Sequence, residues 1–240
     1  MDSHVGVDWA SGSWVVVEAT TETTSVGAEP SLLNVWHEYG DQASEILVDI
    51  PVHLESEENR ECDQKAKDLL GSRGSTVFWT PNRDAVTARD YDEAVTKNSR
   101  GLGSHSWGLI PRIREVNALL DEVETAGETV YESHPEVCFK AYNGDDLPSK
   151  KSDAGFEARK ECLIKNGGES FKPVLDLADE RRANSQWHHR IQSGRVDDVL
   201  DAAILALTAR ESSGDYSTLP DDADPACDPS IVYPGAEPVT

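Results

Sequence analysis

The chain opens on Val5-Gly6-Val7, an apolar run that ends in Asp8, breaks at Ser11-Gly12-Ser13 and resumes as Trp14-Val15-Val16-Val17. The pattern predicts a buried strand, a tight turn and a second strand. Strands are expected at about 4–9, 14–19 and 31–37, with 22–30 as a polar loop. Three strands with short links predict an antiparallel meander. Ile46-Leu47-Val48-Asp49-Ile50 is a fourth apolar run, stopped by Pro51, and reads as a central buried strand. Thr129-Val130-Tyr131-Glu132 predicts a fifth.

Between the fourth and fifth strands the period changes. Cys62, Ala66, Leu69 and Leu70 form one stripe among charges, which predicts a helix over 55–70 ended by Gly71. Residues 76–81 read as extended, and 82–94 as a polar loop with a short helix near Tyr91. After a glycine-rich link at 101–104, Ile110, Ile113, Val116, Leu120 and Val123 recur at helical spacing, with Pro111 in a first turn or at a kink. Beyond the fifth strand, a helix is expected through Val137, Cys138 and Phe139, then a polar loop over 145–155 and helices over 156–164 and 174–183. The most apolar helix is 198–210, with Val199, Ala202, Ala203, Leu205, Ala206 and Ala209. The expectation is one α/β domain over 1–210, with a large insertion at 52–128. Residues 211–240 are acidic, hold no basic residue and are predicted to be a flexible tail.

Acids fall at repeated places in this pattern. Asp8, Asp49 and Glu132 each sit in or at the end of a strand, and Asp197, Asp198 and Asp201 open the apolar helix. An acid at the end of a buried strand costs several kcal/mol unless something pairs with it. A solvated turn and a metal ion are both ways to meet that need. A βββαβα order sets the first, fourth and fifth strands side by side, which predicts that Asp8, Asp49 and Glu132 share an edge. Asp198 and Asp201 stand at i and i+3, on one face of a first helical turn. Acids at a helix start also complement its dipole. Carboxylates without a His or Cys pair suit Mg²⁺ or Mn²⁺, and two such ions can clamp a phosphodiester. His134 and Glu136, just past the fifth strand, are candidates to position a water or hold a phosphate; a loop histidine bonded to backbone is the alternative. Lys150, Lys151, Arg181, Arg182 and Arg190 are the candidate phosphate contacts. Trp9, Trp79 and Trp107 could stack on bases or pack in the core.

Charge changes the picture less than it first suggests. Among 240 residues there are 45 Asp+Glu against 22 Lys+Arg, a net charge of -23, and nine lysines. This composition is expected of a halophilic cytoplasm. At molar salt the Debye length is about 3 Å, so the net charge does not exclude a nucleic-acid partner. Two windows, 97–114 and 181–195, hold four basic residues each and no acid. Cys62, Cys138, Cys162 and Cys227 form no C-x-x-C pair and are expected to be reduced, without a disulfide-linked partner. No apolar run approaches 18 residues, so no membrane span is expected. The first residues lack a basic and an apolar signal region, so the expected location is cytoplasmic.

Several segments together resemble a known family. They are Gly6-Val7-Asp8, Val48-Asp49-Ile50-Pro51, Arg60-x-Cys62-Asp63-x-x-Ala66, Pro111-Arg112-Ile113-Arg114-Glu115-Val116, Glu132-Ser133-His134-Pro135-Glu136-Val137-Cys138-Phe139 and Asp198-x-x-Asp201-Ala202. Over about 4–210 the chain resembles the domain of unknown function 429 family, regarded as predicted nucleases of the RNase H-like superfamily. The resemblance implies a five-stranded mixed sheet in the order 3-2-1-4-5, with acids at the ends of strands 1 and 4 and in the last helix. It implies a catalytic set of Asp8, Asp49, Asp198 and Asp201, with Glu132 extra relative to ribonuclease H itself. The metal set is then Asp8, Asp49, Glu132 and Asp201, the substrate DNA or RNA, and the reaction phosphodiester hydrolysis. A non-catalytic nucleic-acid or protein-binding module would keep the same fold. Actin-like and sugar-kinase ATPases share the sheet and the strand-1 acid, but need two copies of the domain and a glycine-rich phosphate hairpin.

Overall fold

The computed structural model describes residues 3–10, 12–56, 59–98, 101–182 and 196–235. Five strands form the central sheet: β1 (Ser3–Trp9), β2 (Trp14–Ala19), β3 (Thr24–Glu29), β4 (Ala43–Val48) and β5 (Val130–Glu132). Their order is β3-β2-β1-β4-β5, as the resemblance implied. β1, β2 and β3 are antiparallel neighbours, while β4 runs parallel to β1 and β5 parallel to β4.

Alternate residues of each strand feed two different cores. Val5, Val7, Val16, Ile46, Val48 and Val130 point to one face. There they meet α1 (Leu32–Tyr39) and the long α5 (Ser104–Glu122). Val17 and Leu47 point to the other. That face is covered by α6 (Pro135–Asn143), α7 (Asp153–Gly167), α8 (Lys172–Arg182) and α9 (Val196–Ser212), where the α-helix numbers α2 (Glu61–Leu70), α3 (Arg83–Val86) and α4 (Tyr91–Lys97) belong to the insertion between β4 and β5. α9 is buried on nearly all sides, from Val199 to Ala209, because it lies between the sheet and the outer helices.

Two expectations are corrected and one, for Pro111, is narrowed. The third strand is not at 31–37 but at Thr24–Glu29, and Leu32–Tyr39 is helix. Ser31 caps that helix by accepting the Asn34 N–H at 3.2 Å, and Leu32 and Val35 recur at helical spacing toward the core. The insertion's long helix starts at Ser104, so Pro111 lies in its interior. Residues 211–235, expected to belong to a flexible tail, hold regular structure. They form a hairpin, β6 (Tyr216–Leu219) and β7 (Ile231–Pro234), whose Leu219 and Ile231 pack on Cys62, Ala66 and Val137. The acids that dominate the composition of this segment lie mostly between the two strands; the strands themselves hold none.

Candidate metal centre

The site is built by a close approach of two backbones. Gly6 faces α9, and a Cβ on it would lie 2.0 Å from the Ala202 carbonyl oxygen and 2.3 Å from the Ala206 nitrogen. Only glycine allows that contact. Asp8 follows Gly6 by two residues and so points to the same side, while Asp198 and Asp201 lie on α9 just before Ala202. One carboxylate oxygen from each of Asp8, Asp198 and Asp201 lies within 4.8 Å of the others. Asp49 is the neighbour of this group. Its N–H donates to the Val7 carbonyl at 3.0 Å, which sets it beside Asp8 at the end of the sheet.

Burial and mutual repulsion dominate the electrostatics. Asp8 is 7% exposed and Asp201 is 3% exposed. Burial, then Asp49 and Asp201, push the Asp8 carboxyl well above its ordinary value. Burial and Asp201 push Asp49 up to about 8. Burial and Asp8 push Asp198 up to about 9. The positive charge present is Lys150, from the loop between α6 and α7. Its ammonium lies 2.6 Å from Asp201 Oδ2 and 3.4 Å from Asp197, and these acids hold it above its ordinary value. Asp201 Oδ1 is buried and has no hydrogen-bond partner among the described residues. A buried carboxylate oxygen left without a donor is unfavourable, and a cation is one group that would satisfy it. The donors are all carboxylate oxygens, which fits a hard divalent ion such as Mg²⁺ or Mn²⁺.

Glu132 is not in this group. It pairs in register with Val48 and follows Val130 by two residues, so it projects from the opposite face of the sheet to Asp8 and Asp49. Both of its oxygens are taken by Arg60, at 2.6 and 2.7 Å, and one also accepts the Val52 N–H at 2.9 Å. Arg60 binds Asp63 as well, at 2.6 Å. The segment Arg60-x-Cys62-Asp63 is therefore the buried ion-pair partner of the fifth strand, and it ties the insertion to the sheet. The signal in the sequence is an arginine and an acid three residues apart at the start of a helix, Arg60 and Asp63.

The other candidates separate in the same way. Glu136 is buried and holds Arg159 at 2.6 Å and Arg73 at 2.9 Å, so it is structural rather than open to a ligand. His134 stands at the N-cap position of α6 without a side-chain capping bond; its ring is hydrogen-bonded to the Thr76 backbone, and it lines a cleft with Asp8 and Asp49. Lys150 is in the acidic group instead of on a phosphate-facing surface, and Lys151 is exposed beside it. Arg182 pairs with Asp153 and lies 4.1 Å over the Phe156 ring. Arg181 is the neighbouring residue at the end of α8. Arg190, with His188 and His189, lies outside the described residues. In the other basic window, Arg112 pairs with Glu115 and lies 3.9 Å over Trp9, and Arg114 donates to the Val86 and Ala88 carbonyls.

The model of the family described as Protein of unknown function (DUF429) matches residues 6–225. The chain belongs to the DUF429 family. No curated protein and no solved structure matches it. The DUF429 match runs from β1 through α9 into the loop between β6 and β7, and so contains every acid of the group. Cys62, Cys138 and Cys162 of this DUF429 chain are free and buried, and Cys227 is free and exposed. Among the described residues no helix is long and apolar enough to cross a membrane.

Proposed function

We propose that this DUF429 protein is a divalent-metal-dependent hydrolase of phosphodiester bonds in nucleic acid. One observation carries the reading: Asp201 Oδ1, buried and unpartnered, stands in a group with Asp8 and Asp198, whose oxygens lie within 4.8 Å of one another. Asp8, Asp198 and Asp201 would hold the ion, with Asp49 beside them. An ion bound there supplies a water of lowered pKa and stabilises charge on the phosphate oxygens. The chain's own groups do the rest. Gly6 fixes the spacing of Asp8 from α9, burial keeps bulk water from the carboxylates, and the Arg60–Glu132 pair holds the end of β5 rigid. Lys150 is the one cation within the acidic group among the described residues, and it is free to turn toward a phosphate once its acids are otherwise neutralised.

A second reading has an observation of its own. Lys150 already neutralises Asp201 and Asp197 from within the chain. A module that binds nucleic acid or protein without catalysis would keep such an internal ion pair. The deciding experiment is cleavage of a panel of labelled DNA and RNA, single-stranded, duplex and branched, with Mn²⁺ or Mg²⁺ at high salt. Hydrolysis by the wild type that is lost in Asp8→Asn supports the hydrolase. No cleavage of any form, or equal cleavage by the variant, supports the module.

A further inference from the structure

The ends of β1, β4 and β5 and the segment 76–80 enclose a cleft of about 160 Å³ next to the acidic group. Four acids, Asp8, Asp49, Asp63 and Glu132, line it together with Trp9, Phe78 and other apolar residues. Trp9 is fixed, with Arg112 3.9 Å over one face and Trp14 at its edge. Phe78 lies flat against His105, the ring centroids 5.3 Å apart and the planes 4° from parallel. It is nonetheless 42% exposed. Two lining residues, His134 and Arg60, carry a buried nitrogen without a partner, Nδ1 and Nε respectively. The rest of the Arg60 guanidinium is occupied by Glu132, Asp63 and the His53 carbonyl. The cleft is thus small, lined in part by rings, and provided with a few polar atoms that have no partner among the described residues.

We infer that this cleft takes one unpaired nucleobase, from the nucleotide whose phosphate lies on the acids, so that the substrate is single-stranded or locally unpaired nucleic acid. This rests on the proposed hydrolysis and names its substrate class. At roughly 30 Å³ per water the cleft holds about five waters, the room of one flat ring system and not of a base pair. Its acids would repel a second phosphate, whereas a base is neutral. Aromatic faces bind any base by stacking. Burial pushes the His134 imidazole below its ordinary value, so it is neutral near pH 7 and one ring nitrogen is an acceptor.

The test is binding without cleavage. A fluorescein-labelled single-stranded DNA and the same backbone with every base removed are titrated by anisotropy, with Ca²⁺ as the divalent ion. The proteins are the wild type, Phe78→Ala, Phe78→Leu and Trp79→Ala. Trp79 is exposed next to Phe78 but does not line the cleft. Both Phe78 variants are expected to bind the intact strand about tenfold more weakly and the bare backbone unchanged, with Trp79→Ala close to wild type. The inference is overturned if the wild type binds the bare backbone as tightly as the intact strand, binds neither, or prefers a fully paired duplex. It is also overturned if Phe78→Ala and Trp79→Ala lose equally. Melting curves of both Phe78 variants establish that they are folded. The hydrolysis reading fails separately: base-dependent binding with no cleavage in Mn²⁺ sinks only the reaction, and cleavage with base-independent binding sinks only the cleft.

Discussion

Gly6 of β1 and Ala202 of α9 touch backbone to backbone: a methyl group on Gly6 would lie 2.0 Å from the Ala202 carbonyl oxygen. No flexible side chain can yield there, so Gly6→Ala must part the strand from the helix. We expect a loss of at least about 3 kcal/mol in a denaturant titration, at the upper end of overpacking costs. The same separation moves Asp8 from Asp201, so Mn²⁺ affinity, read by calorimetry, should fall in the fraction that folds. Gly12→Ala, with nothing within 4 Å of its added methyl, is the control. A loss no larger than that control would contradict this view of the site.

Glu132 and Asp201 are both buried acids, and their replacement should have opposite consequences. Glu132→Gln leaves the Arg60 guanidinium, 2% exposed, short of its bidentate partner. The expected cost is about 3 kcal/mol or more, with Mn²⁺ affinity of the folded protein little changed. Asp201→Asn removes a carboxylate from a crowded acidic group. The metal-free variant should fold at least as well as wild type and bind Mn²⁺ at least tenfold more weakly. Equal losses of metal binding in the two variants would return Glu132 to the metal set.

Lys150 competes with any ion for Asp201. Lys150→Met keeps the aliphatic stem and removes the charge, so Mn²⁺ should bind more tightly than to wild type. If the protein hydrolyses phosphodiesters, the same variant should do so more slowly, because a cation near the phosphate is lost. Tighter metal with slower cleavage is the expected pair of results; weaker metal binding would mean that Lys150 orders the acids rather than competing for them.

The acids also give the metal-free protein a pH dependence of known sign. Asp49 has its carboxyl raised from 3.8 to about 8 in the folded chain. A raised acid means that the folded state holds its proton more firmly than the unfolded state. That contribution is full below the unfolded value and is lost as pH rises toward the folded one, between about pH 4 and 8. Melting temperature in chelator should therefore decline over this range, and decline less steeply in Asp49→Asn. Saturating Mn²⁺ should flatten or reverse the trend, because the ion takes the place of the protons. A wild-type profile identical to that of Asp49→Asn would remove Asp49 from the account.

The positions of Asp8, Asp49, Asp198 and Asp201 were legible in the chain, because apolar runs mark where strands and a buried helix must lie. An acid at the end of such a run, or on its first turn, stands out against that background. The strand order followed from the resemblance, and the meander from short links. The segment Leu32–Tyr39 reads as a strand because five of its eight residues, Leu32, Leu33, Val35, Trp36 and Tyr39, are apolar and blur the helical period, while the capping Ser31 is the signal of a helix start. The hairpin after residue 215 does not show in a composition averaged over the whole segment, because its two strands are short and Asp221, Asp222, Asp224 and Asp228 stand between them.

The sequence by itself determined the sheet's central strands, the buried α9 and the acids they carry, since each depends on local periodicity and on the cost of burying charge. Only the tertiary structure decided which acids meet. Glu132 has the same sequence credentials as Asp49, yet the two-residue period of β5 turns it to the opposite face, into the hands of Arg60. Lys150 reads as a surface lysine in a polar loop, and becomes the counter-charge of Asp201 because the loop folds back over the start of α9. Both outcomes hang on register and on long-range contact, to which a local pattern carries no key: a shift of one residue in β5 would have exchanged the roles of its two faces.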